Sequence, residues 1–595
     1  MPKPRSNFAS LRSSAPTLQP LIMGRHGMVA SGQFSATMAG LHILKAGGNA
    51  VDAGVAAGIA INVMLFDRTS FAGVAPIILY HAMTNSVVTL DGLGVWPRLA
   101  SMEYFHKNHG GKMPKGIMRT VTPGAPDAWL MALAQYGTMR LAEVLEPAWE
   151  MAAKGAPVSA GVALGLANLE KNLDVIDPEA QRVFFPDGRA PRAGDILVQE
   201  DLGRLFKALM DEEAKAKKEG LGRREAIMRA RDLFYKGWIA RAISEFYESK
   251  GGWLRYSDLA CHRVEISAPL HTKYRGYDVY ACGPWCQGPL LIEFLNILEN
   301  FNLDKMEHNS AQYIHLLVEA MDLAFSDREN FYADPRMIDV PLVGLTSKEY
   351  GKIRASLVNM ERATGHMPLP GNPWEFEQGA RARRVEPVDI SGYIDADAGI
   401  QRDTSYVAVG DEHGNLFSAT PSDPVFDTAV IPGLGIACSG RGSQSRLQPG
   451  HPSALAPGKR PRLTPNPALA MLDGRPFMAF GCPGADVQTQ GMLQFFLNLV
   501  DFSMNVQEAI EATRVCSYNF PGSFAPWTYH PGRVDVEARI DPSVVGALKA
   551  MGHDVRTLGL WSAAASSVHA VLMNPSSGVL LGGADPRREG SAAGW

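Results

Sequence analysis

Few of the hydroxyl, thiol, imidazole and carboxylate side chains in this sequence fall at a spacing that defines a reaction. There is no Gly-x-Ser-x-Gly elbow, no His-Glu-x-x-His pair and no P-loop. Gly458-Lys459 is followed by Arg460, with no glycine where a phosphate cradle needs one. Gly433-Leu434-Gly435 lacks the third glycine of a dinucleotide fingerprint. Cys282 and Cys286 are four apart, but no second Cys or His pair stands at ligand spacing, so ordinary thiols outweigh a metal pair. Asp395-Ala396-Asp397-Ala398-Gly399 lacks the third early ligand and the spaced glutamate of a calcium loop. One hydroxyl stands out by position. Thr404 follows Asp403 where a connector ends and a strand begins, a place suited to a chain cut. On spacing alone it reads as an ordinary strand threonine.

The elements around these residues follow from period and punctuation. Ser405 to Val409 and Leu416 to Thr420 read as two strands of a hairpin, with Gly410 to Asn415 as the turn. Before them, residues 366–402 form a mobile connector rich in Pro and Gly, with an arginine patch at 381–384. The first 65 residues read as strand, helix, helix. His26 to Ser31 is a short apolar run. Met38, Leu41 and Leu44 fall at helical spacing, and Gly47-Gly48 stops that helix. Asn49 caps a second helix so apolar that it must be buried on nearly all sides. Leu205 to Arg231 is a charged helical stretch with a solvated face.

Composition excludes several classes. Hydrophobic residues are 46% and charged residues 20% of 595, which suits a globular protein with a large core. With 57 basic and 61 acidic side chains the net charge is −4, which gives no excess to neutralise phosphates and argues against a nucleic-acid partner. The most apolar run, Val55 to Phe66, is too short to span a bilayer, so no membrane partner is expected. Residues 6–19 contain no apolar core of a signal peptide, and six cysteines make no disulfide framework. A cytoplasmic location is the expectation.

Scattered segments together resemble the gamma-glutamyltransferase family of N-terminal nucleophile hydrolases. They are Gly27-Met28-Val29-Ala30-Ser31 with Lys45-Ala46-Gly47-Gly48-Asn49-Ala50-Val51-Asp52-Ala53, Thr122-Pro123-Gly124, Tyr274-Arg275-Gly276-Tyr277, Asp327-Arg328 and Asp334-Pro335. Asp403-Thr404, Pro457-Gly458-Lys459-Arg460-Pro461, Gly481-Cys482-Pro483-Gly484 and Ala584-Asp585-Pro586-Arg587 complete the series in family order. The resemblance implies a four-layer αββα sandwich. It also implies a proenzyme that cuts itself between Asp403 and Thr404. The products would be a large chain of residues 1–403 and a small chain of residues 404–595. They would stay together as one αββα domain, a heterodimer or a dimer of such pairs. The implied substrate is a small-molecule amide, and no metal or cofactor is implied.

The implied chemistry has a physical rationale. A threonine hydroxyl is a poor nucleophile until a base takes its proton. A free α-amino group, with a pKa of about 8, can take and return that proton near neutrality, and only cleavage creates it. By the resemblance Gly484 and Ala485 offer backbone donors to the oxyanion, Ala485 standing where the family commonly has a second glycine. Thr420 and Ser422 fall where the family carries hydroxyls near the nucleophile.

The glutamate pocket departs from the family pattern. Leu93, framed by Asp91 and Pro97, falls where an arginine grips the glutamyl carboxylate, and leucine cannot make that bidentate contact. Gln444 stands for an acid, and Pro424 for an asparagine. Leu93, Val95, Trp96 and Phe71 suggest an apolar acyl site, with Thr464 added to the substrate-binding set. Arg441 and Arg446 lie in the stretch matching the family's lid, where one could meet a carboxylate on the ligand. Hydrolysis of a non-glutamyl amide is therefore the leading expectation. A gamma-glutamyl transpeptidase and an uncleaved ligand-binding relative are the alternatives.

Overall fold

The computed structural model describes residues 16–377, 383–393 and 403–595. Two antiparallel seven-stranded sheets pack face to face, with helices outside each. One sheet runs Ser591–Gly594, Gly27–Ser31, Val407–Asp411, Leu416–Ala419, Ile77–His81, Ser86–Leu90, Ile266–Ser267. The other runs Ile22–Gly24, Leu580–Ala584, His569–Met573, Arg475–Gly481, Ala468–Leu472, Tyr277–Ala281, Leu270–Tyr274. Helices outside and sheets inside make four layers, αββα.

Alternation along the strands builds the three interfaces. Val407 and Val409 face the helices over the first sheet, whereas Tyr406 and Ala408 face the second sheet. In the second sheet Ala479 points inward, and Met478 and Phe480 meet the helices on its outer side. Successive strand residues are thus all buried, as in a strand covered on both faces.

The expected N-terminal elements form. Gln33 caps the helix Phe34–Lys45, and Gly47 follows it at φ +95°, a conformation glycine adopts without strain. Asn49 and Asp52 form a capping box on Ala50–Met64, and every residue of that helix is buried. Val407 pairs with both Ser31 and Ala419, so the strand leading from Thr404 lies inside the sheet rather than at its edge.

One expectation changes. The charged stretch is two helices, Glu200–Lys218 and Arg223–Tyr235, separated around Gly220 at φ +91°. Its face is not wholly solvated: Arg231 is fully buried against Asp127, and Glu213 accepts from the N–H groups of Leu141 and Ala142. The described parts of the 366–403 connector are held by specific contacts. The Met367 N–H donates to the Tyr529 hydroxyl at 2.7 Å, and that of Gly371 to Asp327 at 2.9 Å. Val388 N–H donates to Asn330, and Arg383 lies over Trp374. The Asp395–Gly399 run and residues 381 and 382 of the arginine patch lie outside the described residues. No helix among the described residues is long and apolar enough to cross a membrane.

Candidate active site

Thr404 sits three residues before Val407, the start of an interior strand of the first sheet, and is 1% exposed. Its N–H donates to the Arg68 carbonyl at 3.0 Å, and the Ser405 N–H donates to Pro421. These bonds bring residues 404–405 beside 420–422. The segment 420–422 is itself tied to the loop before the Ile77–His81 strand, through Thr420 N–H on Pro76 and Ser422 N–H on Val74. A β-carbon on Gly73 would lie 2.3 Å from the Ser422 carbonyl, so glycine is needed for this approach.

The backbone here is strained. Thr404 has φ +81° and Asp423 φ +85°. Threonine is β-branched and rarely enters this region, at a cost of about 1–3 kcal/mol. The strain at Thr404 adjoins the Asp403–Thr404 peptide bond.

Around the Thr404 hydroxyl is a compact polar cluster. Its oxygen lies 2.5 Å from the Ser422 hydroxyl and donates to the Asp403 carboxylate at 3.2 Å. Arg441 donates to Ser422 and forms ion pairs with Asp403 at 2.5 Å and Asp423 at 2.9 Å. Ser439 donates to the other oxygen of Asp423, and the Arg441 guanidinium lies over the Phe524 ring. All the polar groups of this cluster are buried. Burial raises the Asp403 carboxyl above the usual range, against the opposing pull of Arg441. Burial pushes Asp423 up to about 6 for the same reason. Such a cluster can take a proton from Thr404 and hold the hydroxyl beside the preceding carbonyl.

Gly481, at the start of the Gly481–Ala485 loop, packs against Tyr406, two residues after Thr404. A β-carbon on Gly481 would lie 2.4 Å from the Tyr406 ring, and Tyr406 stacks on His569. Gly484 and Ala485 have φ of +132° and +52°, which turns the loop sharply before the helix Gln488–Val500. Asp486 anchors the loop: it accepts from Arg328 at 2.6 Å and from the Ser523 N–H at 2.7 Å. The Ser566 hydroxyl donates to the Pro483 carbonyl at 2.5 Å. Two backbone N–H groups in a fixed loop can meet a developing oxyanion.

The remaining expected residues separate. Gln444 donates to Thr464 at 3.0 Å, and both are buried. The Trp96 indole N–H donates to Ser445 at 2.9 Å, and its ring packs against Gly442, so Trp96 backs the 441–445 turn. Thr420 is buried just after the neighbouring strand, and its hydroxyl has no hydrogen-bond partner among the described residues. Leu93 is buried in the core between the two sheets and lines a cavity of about 320 Å³ with Trp96, Arg98, Arg263, Arg336 and Arg460. Phe71 stands apart in the helical core, edge-on to Phe206 and Phe234. Arg446 departs from its expected role, because Glu329 and the Gly522 carbonyl take up its guanidinium. Asp423 and the Arg68 carbonyl were not anticipated. No motif marks either one; the only local signal for Asp423 is its place directly after Ser422.

Comparison with known proteins adds a family context to this geometry. The model of the gamma-glutamyltranspeptidase family matches residues 36–595. A glutathione hydrolase-like YwrD proenzyme of Bacillus subtilis is 31% identical over 578 residues, covering 96% of this chain and 99% of the relative. An acylase ACY 1 proenzyme of a Pseudomonas strain is 31% identical over 583 residues, covering 96% and 93%. The solved cephalosporin acylase from Bacillus halodurans superposes with a TM-score of 0.83 at 29% identity, covering 99% of each chain.

Proposed function

Because this chain belongs to the gamma-glutamyltranspeptidase family, we propose that it is a self-processing amidohydrolase with Thr404 as nucleophile. The observation that carries the proposal is the buried Thr404 hydroxyl, 2.5 Å from Ser422 and 3.2 Å from Asp403, on a strained residue at the expected cut. In maturation the Thr404 oxygen attacks the Asp403 carbonyl carbon. The Asp403 carboxylate takes the hydroxyl proton, the peptide C–N bond breaks as an ester C–O bond forms, and the carboxylate passes the proton to the freed nitrogen. Water then hydrolyses the ester, giving Asp403 a terminal carboxylate and Thr404 a free amine. The large and small chains remain held by the shared sheets.

In turnover that amine takes the hydroxyl proton, and the oxygen attacks the amide carbon of the substrate. The N–H groups of Gly484 and Ala485 receive the oxyanion. The leaving amine takes the proton back, and water releases the acyl group from Thr404.

The acyl group is proposed to lack the α-amino acid end of glutamate. Leucine occupies position 93, and Gln444 is engaged by Thr464. Arg441 meets Asp403 before the cut and becomes available to a ligand carboxylate once Asp403 is a chain end. Relatives named as acylases fit this reading. The relative named glutathione hydrolase-like marks the competing outcome. The test is a panel of simple acyl anilides, dicarboxylic acid monoamides, oxamate and glutathione, with and without amino-acid acceptors. Hydrolysis of a non-glutamyl amide without acceptor supports the proposal. Glutathione as the best substrate, stimulated by acceptors, overturns it.

A further inference from the structure

Outside this site, three buried ligand-type side chains converge at the outer layer of the second sheet. His315 and Glu319 are one turn apart on the helix Ala311–Phe331, so their side chains share a face. His553 comes from the turn between the helix Pro542–Ala550 and the strand Asp554–Leu558. One donor atom from each lies within 4.8 Å of the other two. His315 Nδ1 and His553 Nε2 are 2.8 Å apart.

The tautomer at His315 is fixed by its other nitrogen. Nε2 lies 2.7 Å from the Asn359 carbonyl, which can only accept, so Nε2 carries the proton. Nδ1 therefore points a lone pair at His553. A ring nitrogen donating to a backbone carbonyl is the usual support for a metal-bound histidine. Glu319 is oriented in the same way: its oxygens accept from the Thr364 N–H at 3.1 Å and hydroxyl at 2.5 Å.

We infer that His315 Nδ1, His553 Nε2 and the Glu319 carboxylate form a site for a divalent zinc-class cation. Two nitrogens and one oxygen suit Zn²⁺ better than Ca²⁺ or Mg²⁺, which take oxygen ligands. On a tetrahedral ion with Zn–N of about 2.0–2.1 Å, two nitrogens stand about 3.3 Å apart, so the rings need only a small separation. Glu319 closes on the ion by side-chain rotation, and a water completes the coordination. The site is structural. The segment 359–364 wraps it, and the Ala363 N–H donates to Met551 at 2.8 Å. If the chain is cut before Thr404, as proposed above, two ligands belong to the large chain and one to the small. The ion then staples the two chains together.

The test uses the full-length protein, stripped with chelator, reloaded with zinc and desalted, with metal measured by mass spectrometry. One zinc per chain is expected in the wild type. His553→Gln and Glu319→Gln should each lower retention at least about tenfold. Zinc should raise the melting temperature of the stripped wild type but not of the variants. Cobalt-loaded wild type should show the visible band of a four-coordinate site, a readout that stands even if a variant fails to fold. Only traces of zinc in the reloaded wild type, or equal zinc in His553→Gln, would overturn the inference. These readouts do not depend on activity. An uncut, inactive protein that binds zinc would refute the processing reading and leave the site intact.

Discussion

The guanidinium of Arg441 lies 2.5 Å from the carboxylate of Asp403, and each side chain is 1% exposed. The same guanidinium pairs with Asp423, so one cation serves two buried carboxylates. Removing it leaves buried charge uncompensated, which costs about 3–5 kcal/mol when one partner of such a pair is lost. Arg441→Gln should therefore unfold at markedly lower denaturant and accumulate as precursor. Equilibrium unfolding and a denaturing gel check both. Wild-type stability together with wild-type maturation would show that the cluster plays no part.

Ser422 bridges Arg441 and the Thr404 hydroxyl. Ser422→Ala removes a buried hydrogen bond worth about 1–3 kcal/mol, which slows a step that depends on it by roughly 10- to 100-fold. Precursor should persist in Ser422→Ala, and Ser422→Thr should restore most of the rate. A time course of precursor loss in the three proteins is the measurement.

Maturation should slow as pH falls toward the raised pKa of the Asp403 carboxyl. The Thr404 hydroxyl donates to Asp403, and only an ionised carboxylate can take its proton. Burial raises Asp403 above its usual range and Asp423 to about 6, with Arg441, Asp427, Ser422 and Thr404 around them. Stability carries the opposite sign at Asp423. A folded pKa of about 6 against 3.8 gives stabilisation that is complete below 3.8 and lost as pH rises through 6. Slow maturation at pH 5 thus could not be ascribed to unfolding driven by this carboxyl. A maturation rate that stays constant from pH 8 down to the lowest pH at which the protein remains folded would rule out the carboxylate's role.

Gamma-glutamyl-p-nitroanilide should be a poor substrate beside simple acyl anilides, compared by kcat/KM. Leu93→Arg should restore at most a trace of glutamyl activity. An arginine there would replace a buried leucine in a cavity it shares with buried Arg460 and exposed Arg98, Arg263 and Arg336, where like charge opposes it. A glutamyl compound that is the best substrate of the wild type would place the carboxylate contact on another arginine.

What could be read from the sequence was local. The Asn49 cap, the Gly47 stop and the hairpin after Thr404 each depend on a few adjacent residues, and each forms. The αββα architecture came through scattered family motifs rather than periodicity. The structure explains several of these motifs as braces: Arg328 holds Asp486, Arg460 pairs with Asp91, and Asp585 pairs with Arg514. Side-chain partners far apart in sequence were not legible. Arg441 and Arg446 are five apart on one loop, yet one joins Asp403 and the other Glu329. Nothing in their spacing distinguishes them. The charged 205–232 stretch hid buried Arg231 for the same reason, since its partner Asp127 lies 104 positions earlier.

The most direct measurement is the intact mass of the purified protein under denaturing conditions, wild type beside Thr404→Ala. The wild type should give two chains, one of 403 residues ending at Asp403 and one of 192 residues beginning at Thr404 out of the total of 595. Thr404→Ala should give one uncut chain, because the attacking hydroxyl is gone. A wild type that stays whole, or a Thr404→Ala protein cut at the same bond, would contradict the account.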